Sequence, residues 1–284
     1  MKILVLGGSG LLGSALLSEL KKAGHQLLAP SHSQLDITER EKVLDYVRQA
    51  QPEIIINCAG FTRVDDCESH QKLAFEINAK GAGNLAEASR QVGALMVQIS
   101  TDYIFNGEKP GEYTEEDEPA PLNIYGKSKL EGEKLVQEQA DNWLILRTSW
   151  LFGEGGENFI SKIFFRWKEG AEQLKVVADE KGKPTYARDL ARVIKASIEK
   201  GLRGIYHFAN QGVVSWYQLA EEVFELIKET APLTPVRAEE YGLPARRPKN
   251  SALNTEKIQK ALGIEIRHHQ LAVKEYLEKT GWIR

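Results

Sequence analysis

Strand-like and helix-like patterns alternate along the first half of the chain. Residues 2–6 are a short run that is apolar after its first residue, and an apolar segment over 11–23 follows and ends at Gly24. Residues 53–58 are apolar at their centre without alternation, which is typical of a strand covered on both faces. The alternation of strands and helices predicts βαβ units and a parallel sheet.

The same patterns predict the remaining elements. A capping box at residues 38–41 (Thr-Glu-Arg-Glu) predicts that the second helix begins near Thr38. Further strands are expected over residues 26–29, 95–99, 143–147, 176–179 and 204–208, and further helices over 75–92, 159–168 and 189–200. Because the carboxyl ends of parallel strands meet at one edge, the polar residues that follow these strands are expected to converge there.

A glycine turn follows the first strand. Gly7, Gly10 and Gly13 have the spacing Gly-x-x-Gly-x-x-Gly, a close variant of the dinucleotide-binding fingerprint, and they stand between a strand and a helix. Such glycines allow a tight turn and a close approach of the backbone to a pyrophosphate. The helix that starts at Leu11 would present free N–H groups to the phosphates.

A second motif carries chemistry. Tyr125 and Lys129 are four residues apart, so on a helix they lie one above the other on one face. A free tyrosine has a pKa of about 10, and a lysine cation held nearby is expected to lower it. Thr101, at the end of a predicted strand, could hydrogen-bond the carbonyl oxygen that Tyr125 protonates. Together the two motifs predict a proton-donating site beside a nicotinamide.

Composition narrows the class of protein. A length of 284 residues, 42% hydrophobic and 27% charged, is ordinary for a globular protein, and the formal net charge of −3 gives no support to nucleic-acid or membrane binding. Two cysteines, Cys58 and Cys67, fit neither a disulfide framework nor a metal motif, and no metal site is predicted. The apolar run that follows Lys2 is too short for the core of a signal peptide, so a cytoplasmic location is expected.

After Trp150 the regular alternation of strands and helices is interrupted by a glycine-rich segment, Gly153-Glu-Gly-Gly156. We predict an α/β fold, a Rossmann-type doubly wound parallel sheet with a smaller, discontinuous α/β lobe. Residues 1–150 are expected to form the dinucleotide-binding domain, and segments near 186–210 to return to it. Residues 151–284 are expected to be mainly the substrate-binding lobe.

With these motifs in place, the chain resembles the extended short-chain dehydrogenase/reductases, and within them the dTDP-4-dehydrorhamnose reductases. The resemblance runs nearly end to end. It rests on Leu35-Asp-Ile-Thr38, Ser100-Thr-Asp-Tyr-Ile-Phe105, Asn123-Ile-Tyr-Gly-Lys-Ser-Lys129, Arg147-Thr-Ser-Trp150, Gly182-Lys-Pro-Thr185, Gly204-Ile-Tyr-His-Phe208 and Arg247-Pro-Lys-Asn-Ser251-Ala-Leu-Asn-Thr255.

The resemblance implies a reaction. It implies NADPH-dependent reduction of the C4 ketone of dTDP-4-dehydro-6-deoxy-L-mannose to dTDP-L-rhamnose. Tyr125 would be the proton donor, Lys129 would hold the nicotinamide ribose, and Thr101 would orient the carbonyl. The substrate contacts it implies are Thr101, Asp102, Trp150, Asn158 and Arg247.

Cofactor contacts follow from the resemblance in the same way. They are Gly7, Gly10, Leu11, Leu12, Gly13, Ser31, Asp36, Ile37, Ala59, Gly60, Thr62, Tyr125 and Lys129. The turn after the second strand, Pro30-Ser31-His32, has no carboxylate to grip the ribose 2′-hydroxyl of NAD, which favours NADPH. It also has no arginine to bind a 2′-phosphate, so NADH stays open.

The diphosphate of such a substrate needs cations or backbone donors. Arg247 is the preferred candidate among the lysines and arginines of the second half. The set considered is Lys181, Lys183, Arg188, Arg246 and Arg247. Some relatives of this kind are dimers with Mg²⁺ at the interface, but no Mg²⁺ ligands can be assigned here, and monomer and homodimer both stay open.

Four other functions are compatible with parts of this pattern. A 4,6-dehydratase is expected to have Thr-Asp-Glu where this chain has Thr101-Asp102-Tyr103, so the missing glutamate argues against elimination. A C4 epimerase or a reductase of another nucleotide-linked 4-keto-6-deoxysugar would share the site. A non-catalytic NADP-binding regulatory subunit is disfavoured because Thr101, Tyr125 and Lys129 are all present.

Overall fold

The structure, a computed structural model, describes residues 1–283. Its strands in chain order are β1 (Lys2–Leu6), β2 (Gln26–Leu28), β3 (Ile54–Asn57), β4 (Leu95–Thr101), β5 (Trp143–Thr148), β6 (Leu151–Phe152), β7 (Leu174–Val177), β8 (Lys181–Gly182), β9 (Thr185–Tyr186), β10 (Gly204–Phe208), β11 (Val214–Ser215) and β12 (Leu233–Val236). Its α-helices are α1 (Leu11–Lys22), α2 (Arg40–Ala50), α3 (Val64–Ser69), α4 (Gln71–Phe75), α5 (Gly81–Val92), α6 (Ile124–Gln139), α7 (Phe159–Lys168), α8 (Ala187–Glu199), α9 (Trp216–Ile227), α10 (Ala238–Tyr241), α11 (Glu256–Leu262) and α12 (His269–Lys279).

Six parallel strands form the largest sheet, in the order β10-β5-β4-β3-β1-β2. The order reverses at β1, because the chain passes to β2 on one side and to β3 on the other. In open parallel sheets, ligands bind in the crevice at such a reversal, beyond the carboxyl ends of the strands. The predicted fold class is confirmed, and this crevice lies where the glycine turn follows β1.

Both faces of this sheet are covered by helices. Alternate residues of a strand point to opposite faces, so Ile3 and Val5 pack with α1 and α8, whereas Leu4 and Leu6 pack with α2, α5 and α6. All four residues of β3 are buried, which explains its continuous apolar run.

The second half of the chain divides its elements between two regions. Strand β10 pairs with β5, and α8 packs beside α1, so residues 187–208 lie in the layers of the large sheet. Helices α7, α9 and α12 form separate apolar clusters with the short strands that flank them. The division of the chain into two lobes near residue 150 stays a prediction.

The expected capping box at the start of α2 is wrong. The Thr38 hydroxyl and the Thr38 backbone N–H both donate to Asp36 Oδ1, at 2.8 and 2.9 Å. Helix α2 begins only at Arg40, with Glu39 as its N-cap and no capping side chain among the described residues. A short polar side chain that hydrogen-bonds a nearby group is no longer available to cap a helix. Thr38 therefore stabilises the turn at Asp36 instead of capping α2.

The helix expected over 75–92 begins earlier and is not uniform. Helix α4 runs into a π-helical turn, Glu76–Lys80, and α5 continues from it. The Asn78 side chain in this turn hydrogen-bonds Phe61 and Ser128, and π turns often occur at functional sites. None of the helices within residues 1–283 is long and apolar enough to span a membrane.

Candidate active site

The turn between β1 and α1 brings the helix directly against the end of the strand. Gly7 has φ +71°, in the left-handed region that favours glycine. A Cβ added at Gly13 would lie 2.1 Å from the Gly7 carbonyl oxygen, so the helix can pack here only without a side chain. Gly10 is the N-cap of α1, and no side chain within residues 1–283 caps it. The first N–H groups of α1 are therefore available to an anion such as a pyrophosphate.

Thr101, Tyr125 and Lys129 come together beside this turn. Thr101 ends β4, and the other two lie on the first two turns of α6. With Gly10 and Gly60 they line one cleft of about 460 Å³, the catalytic cleft. The ring of Tyr125 packs edge-on against that of Tyr103, with centroids 6.0 Å apart. The fold therefore places all three predicted catalytic residues where a ligand on the glycine turn would reach them.

The electrostatics of Tyr125 differ from the expectation. Burial raises the pKa of the Tyr125 phenol above its ordinary value, and hydrogen bonding with the Thr101 side chain only partly opposes this. The Lys129 Nζ donates to the Ile99 carbonyl oxygen at 2.6 Å and makes no hydrogen bond to the Tyr125 phenol within the described residues. Burial also lowers the pKa of Lys129 to about 8. The phenol is thus held in its protonated form at neutral pH, the form that a proton donor needs.

Most predicted cofactor residues surround the same cleft. Its lining includes Gly10, Leu11, Leu12, Gly13, Ala59, Gly60 and Thr62 together with Tyr125 and Lys129. Gly7 lies directly beneath, since a Cβ there would be 2.7 Å from the Ala59 nitrogen.

Ser31, Asp36 and Ile37 lie outside the lining of this cleft, in the segment after β2. Ser31 is exposed and its hydroxyl binds Gln34 and Ser33. Asp36 is held by Thr38, and burial of the Ile37 side chain in the core leaves only its backbone to meet a ligand. The roles predicted for these three residues stay predictions.

Two buried asparagines fix the loop over residues 58–62. Asn57 donates to Gln98 and accepts from the Ala59 N–H, at 2.9 and 3.1 Å. Asn78, in the π turn, accepts from the Phe61 N–H, and its amide donates to the Phe61 carbonyl and to Ser128 Oγ on α6. The loop that faces the cofactor region is therefore tied to the helix that carries Tyr125 and Lys129. The sequence analysis did not identify Asn78.

A second, larger cleft opens from the first. We call it the outer cleft; it has a volume of about 1090 Å³ and is lined among others by Asn158, Lys175, Glu180 and Arg247. The two clefts share Tyr103, Phe159 and Trp216 in their walls. The catalytic cleft therefore continues into this wider space.

The two substrate residues predicted for this region are already engaged. Asn158 caps α7 by accepting from the Ser161 N–H, and its amide donates to the Gly153 carbonyl and the Tyr276 hydroxyl. Arg247 donates to both oxygens of Asp65, at 3.1 and 2.8 Å. Asn158 thus shapes the wall of the outer cleft, and Arg247 would have to leave or share Asp65 to bind a phosphate.

The other cations considered for the diphosphate are occupied or elsewhere. Lys183 is buried in an ion pair with Glu112 at 2.5 Å, and Arg188 pairs with Glu154 at 2.9 Å. The outer cleft is lined by none of these four candidates: Lys181, Lys183, Arg188 and Arg246. Three cations that were not predicted from the sequence do line it: Lys162, Arg166 and Lys175.

An aromatic wall lines one side of the catalytic cleft. Trp150 stacks on Trp216 with ring centroids 3.5 Å apart and planes 7° apart, and Phe159 packs on Trp216 at 4.8 Å. Trp150 has φ +47°, a strained conformation for a large residue. A Cβ on Gly182 would lie 2.5 Å from the Trp150 ring. Packing against Trp216 on one side and Gly182 on the other thus holds Trp150 in this strained conformation.

Trp216 was not predicted from the sequence as a residue of the site. A signal was present, because Ser215 and Gln218 form a capping box that places Trp216 at the first position of α9.

Asp102 is a buried carboxyl in the catalytic cleft. It is 2% exposed, Thr101 Oγ1 donates to its Oδ1 at 3.1 Å, and its Oδ2 has no hydrogen-bond partner within the described residues. Burial raises the pKa of Asp102 to about 7. A buried acceptor without a partner costs about 1–3 kcal/mol.

Asp102→Asn is expected to make folding stability less dependent on pH. Because the pKa of Asp102 is raised from 3.8 to about 7, the folded chain binds more protons than the unfolded chain between these values. The contribution of this group is therefore fully present below pH 3.8 and is lost between this value and the folded pKa of about 7, at about 1.4 kcal/mol per pH unit. Urea unfolding at about pH 5 and about pH 8 measures the difference. Equal pH dependence in the two proteins would contradict the assignment.

Comparison with known proteins gives consistent matches over the whole chain. The family model described as RmlD substrate binding domain matches residues 1–281. A dTDP-4-dehydrorhamnose reductase of Aggregatibacter actinomycetemcomitans is 40% identical over 286 residues, covering 96% of this chain and 97% of that protein. The spore coat polysaccharide biosynthesis protein SpsK of Bacillus subtilis is 39% identical over 280 residues, covering 99% and 98%. A crystal structure of a dTDP-4-dehydrorhamnose reductase from Bacillus anthracis in complex with NADP has a TM-score of 0.95 and 38% identity, covering 98% of this chain and 99% of that one.

Proposed function

The chain belongs to the RmlD substrate-binding domain family, and on that basis we propose that it is an NADPH-dependent dTDP-4-dehydrorhamnose reductase. The reaction is reduction of the C4 ketone of dTDP-4-dehydro-6-deoxy-L-mannose to dTDP-L-rhamnose. The observation that carries the proposal is the meeting of Thr101, Tyr125 and Lys129 in one cleft beside the glycine turn. Relatives that share the fold over their whole length bear this activity in their names.

The residues present fit a dinucleotide. At Gly7 and Gly13 an added Cβ would meet backbone at 2.7 and 2.1 Å, so the turn has the close backbone packing that a pyrophosphate cradle requires. Gly10, Gly13, Ala59 and Gly60 would hold the cofactor, and Lys129 its nicotinamide ribose. When bound, the reduced nicotinamide supplies the hydride that goes to C4 of the sugar.

The residues of the chain supply the proton. The Tyr125 hydroxyl donates its proton to the oxygen at C4 as negative charge develops there. The Thr101 hydroxyl, which donates to Asp102 Oδ1 in this structure, turns its proton to the same oxygen. The raised pKa of Tyr125 keeps the phenol protonated until the alkoxide forms. The Lys129 ammonium, held by Ile99 beneath the cleft, stabilises the phenolate that remains.

The test is oxidation of NADPH in the presence of enzymatically prepared dTDP-4-dehydro-6-deoxy-L-mannose, followed by the absorbance of the reduced nicotinamide. The expected result is rapid oxidation with dTDP-L-rhamnose as the product. Oxidation only with a different 4-keto-6-deoxysugar nucleotide would transfer the activity to that substrate. NADPH binding with no oxidation on any such sugar would support a regulatory subunit instead.

Ser31→Asp is expected to weaken the preference for NADPH. Ser31 is exposed in the turn after β2, and its surroundings present no carboxylate to a 2′-phosphate apart from the more distant Asp36. An aspartate here would repel the 2′-phosphate and bind the 2′-hydroxyl of NADH, so KM for NADPH should rise about tenfold while KM for NADH falls or stays constant. Steady-state kinetics with both cofactors measure this. An equal rise in both KM values would place Ser31 away from the 2′ position.

A further inference from the structure

Three segments meet at the start of the helix that carries Tyr125. They are α3, the first turn of α6, and residues 243–248, which we call the arginine segment because it contains Arg246 and Arg247. The arginine segment contributes Leu243 and Arg247 to the outer cleft, whereas Tyr125 lines the catalytic cleft. A contact between the arginine segment and α6 therefore links the two clefts.

Asn123 makes that contact. Its side chain is buried, with 2% of the residue exposed. Its Oδ1 accepts from the Gly126 N–H at 2.8 Å and so caps α6, while its Nδ2 donates to the Arg246 carbonyl oxygen, also at 2.8 Å. One planar amide thus holds the first turn of the Tyr125 helix and the backbone of the arginine segment at the same time.

Helix α3 holds the same two partners. Asp65 accepts from the Ala245 N–H at 3.1 Å and from both terminal nitrogens of Arg247. One turn later, Glu68 accepts from the Ile124 N–H at 2.8 Å. The arginine segment cannot shift relative to α3 without stretching the bonds that also place the start of α6.

The first turn of α6 has little freedom to absorb such a shift. A Cβ added at Gly126 would lie 2.1 Å from the Tyr103 carbonyl oxygen, so the helix backbone is in direct contact with the segment after Thr101. The first turn of α6 cannot approach this segment more closely, so the position of Asn123 helps to fix where Tyr125 lies beside Thr101. Errors of about 1 Å in the placement of a reacting group can cost about 100-fold in rate.

We propose that Asn123 is a positioning residue that couples occupancy of the outer cleft by the nucleotide diphosphate to the placement of Tyr125. A phosphate that draws Arg247 away from Asp65 moves the arginine segment, and the amide of Asn123 carries that movement to the first turn of α6. The proposal rests on the proposed function for the identity of the ligand. It assigns Asn123 no contact with substrate or cofactor.

Asn123→Asp keeps the hydrogen bond that caps α6 and removes the one to the Arg246 carbonyl oxygen. Aspartate caps a helix as well as asparagine does, but it cannot donate to the Arg246 carbonyl. We expect kcat to fall about 10- to 100-fold, with the Kd for NADPH unchanged within about twofold. Asn123→Ser, which also caps but is shorter, should behave in the same way and serves if the aspartate variant does not fold.

Asn250→Asp is the matched control. The Asn250 amide donates to the carbonyl oxygens of Lys109 and Gly111, each at 2.8 Å, and its Oδ1 accepts from the Ala252 N–H, so the same chemistry is lost away from both clefts. Its kcat should stay near that of the unsubstituted protein. In addition, Asn123→Asp combined with Arg247→Ala should lower kcat/KM by less than the product of the single effects, because both act through the arginine segment.

A readout without turnover separates this proposal from the proposed function. Amide hydrogen exchange of residues 124–129 should slow when dTDP is added to the unsubstituted protein and to Asn250→Asp, and should not respond in Asn123→Asp. If dTDP leaves exchange unchanged in the unsubstituted protein, or if both asparagine variants respond alike, the coupling does not exist. A protein that shows the exchange response but does not reduce the sugar would refute the proposed function and leave the coupling standing.

Discussion

Replacing Tyr125 with phenylalanine is expected to lower kcat by about 10²- to 10⁴-fold, the range that a single positioned acid supplies. The substitution removes the proton that neutralises the oxygen at C4 and leaves the ring that packs edge-on against Tyr103. The Kd for NADPH should change little, because the backbone of the glycine turn and Lys129 are unaltered. Fluorescence titration with NADPH and steady-state oxidation with the dTDP-sugar measure the two quantities separately.

Tyr113→Phe is the control for this prediction. Its hydroxyl donates to Asn106 at 3.0 Å and accepts from the Lys109 N–H, and the residue lies outside the lining of both clefts. Loss of such a bond costs about 1 kcal/mol of stability without a reason for kcat to change. If Tyr125→Phe kept the turnover of the unsubstituted protein, the proton donor would have to be another group. The buried carboxyl of Asp102 would be the first to examine.

Gly13→Ala is expected to weaken NADPH binding severely, raising the Kd for NADPH at least about 100-fold. The added methyl group would lie 2.1 Å from the Gly7 carbonyl oxygen and 2.7 Å from the Gly8 Cα, and both are backbone atoms that cannot rotate away. Helix α1 must move off the turn, which removes its N-terminal N–H groups from the pyrophosphate position. Overpacking of this kind also costs about 1–3 kcal/mol of folding stability.

The matched variant is Gly111→Ala, in the loop before Tyr113. Its added Cβ has no neighbour within 4 Å among the described residues, and its φ is not positive. Both NADPH binding and the urea midpoint should stay near those of the unsubstituted protein. NADPH titration of the two alanine variants at equal concentration decides the matter, since normal binding by Gly13→Ala would mean that the cofactor does not lie on this turn.

Part of the site was predictable because it is local in the sequence. Strand β1, the turn at Gly7 and helix α1 follow one another directly, so the pattern of apolar residues and glycines determines them together. Tyr125 and Lys129 share a helix face by spacing alone. The buried runs of β1 and β3 likewise indicated a sheet covered on both sides, as the structure shows.

Local patterns failed where two local interactions compete. The capping box at residues 38–41 was compatible with the sequence, but Thr38 binds Asp36 instead and α2 begins two residues later. The π turn at Glu76–Lys80 interrupts a pattern that reads as one regular helix. There the close packing of Gly132 on the Asn78 carbonyl, 2.2 Å from an added Cβ, shows that contact with α6 shapes the turn.

The chain by itself determined the sheet, the glycine turn and the residues able to donate a proton, because each depends on neighbours within one or two turns. Only the tertiary structure decided what surrounds them. Lys129 faces the Ile99 carbonyl, and Trp150 stacks on Trp216, 66 positions further along the chain. Asn123 meets Arg246, 123 positions away. Contacts at such separations leave no periodicity in the sequence, since they are fixed by how the second half of the chain packs against the carboxyl edge of the sheet.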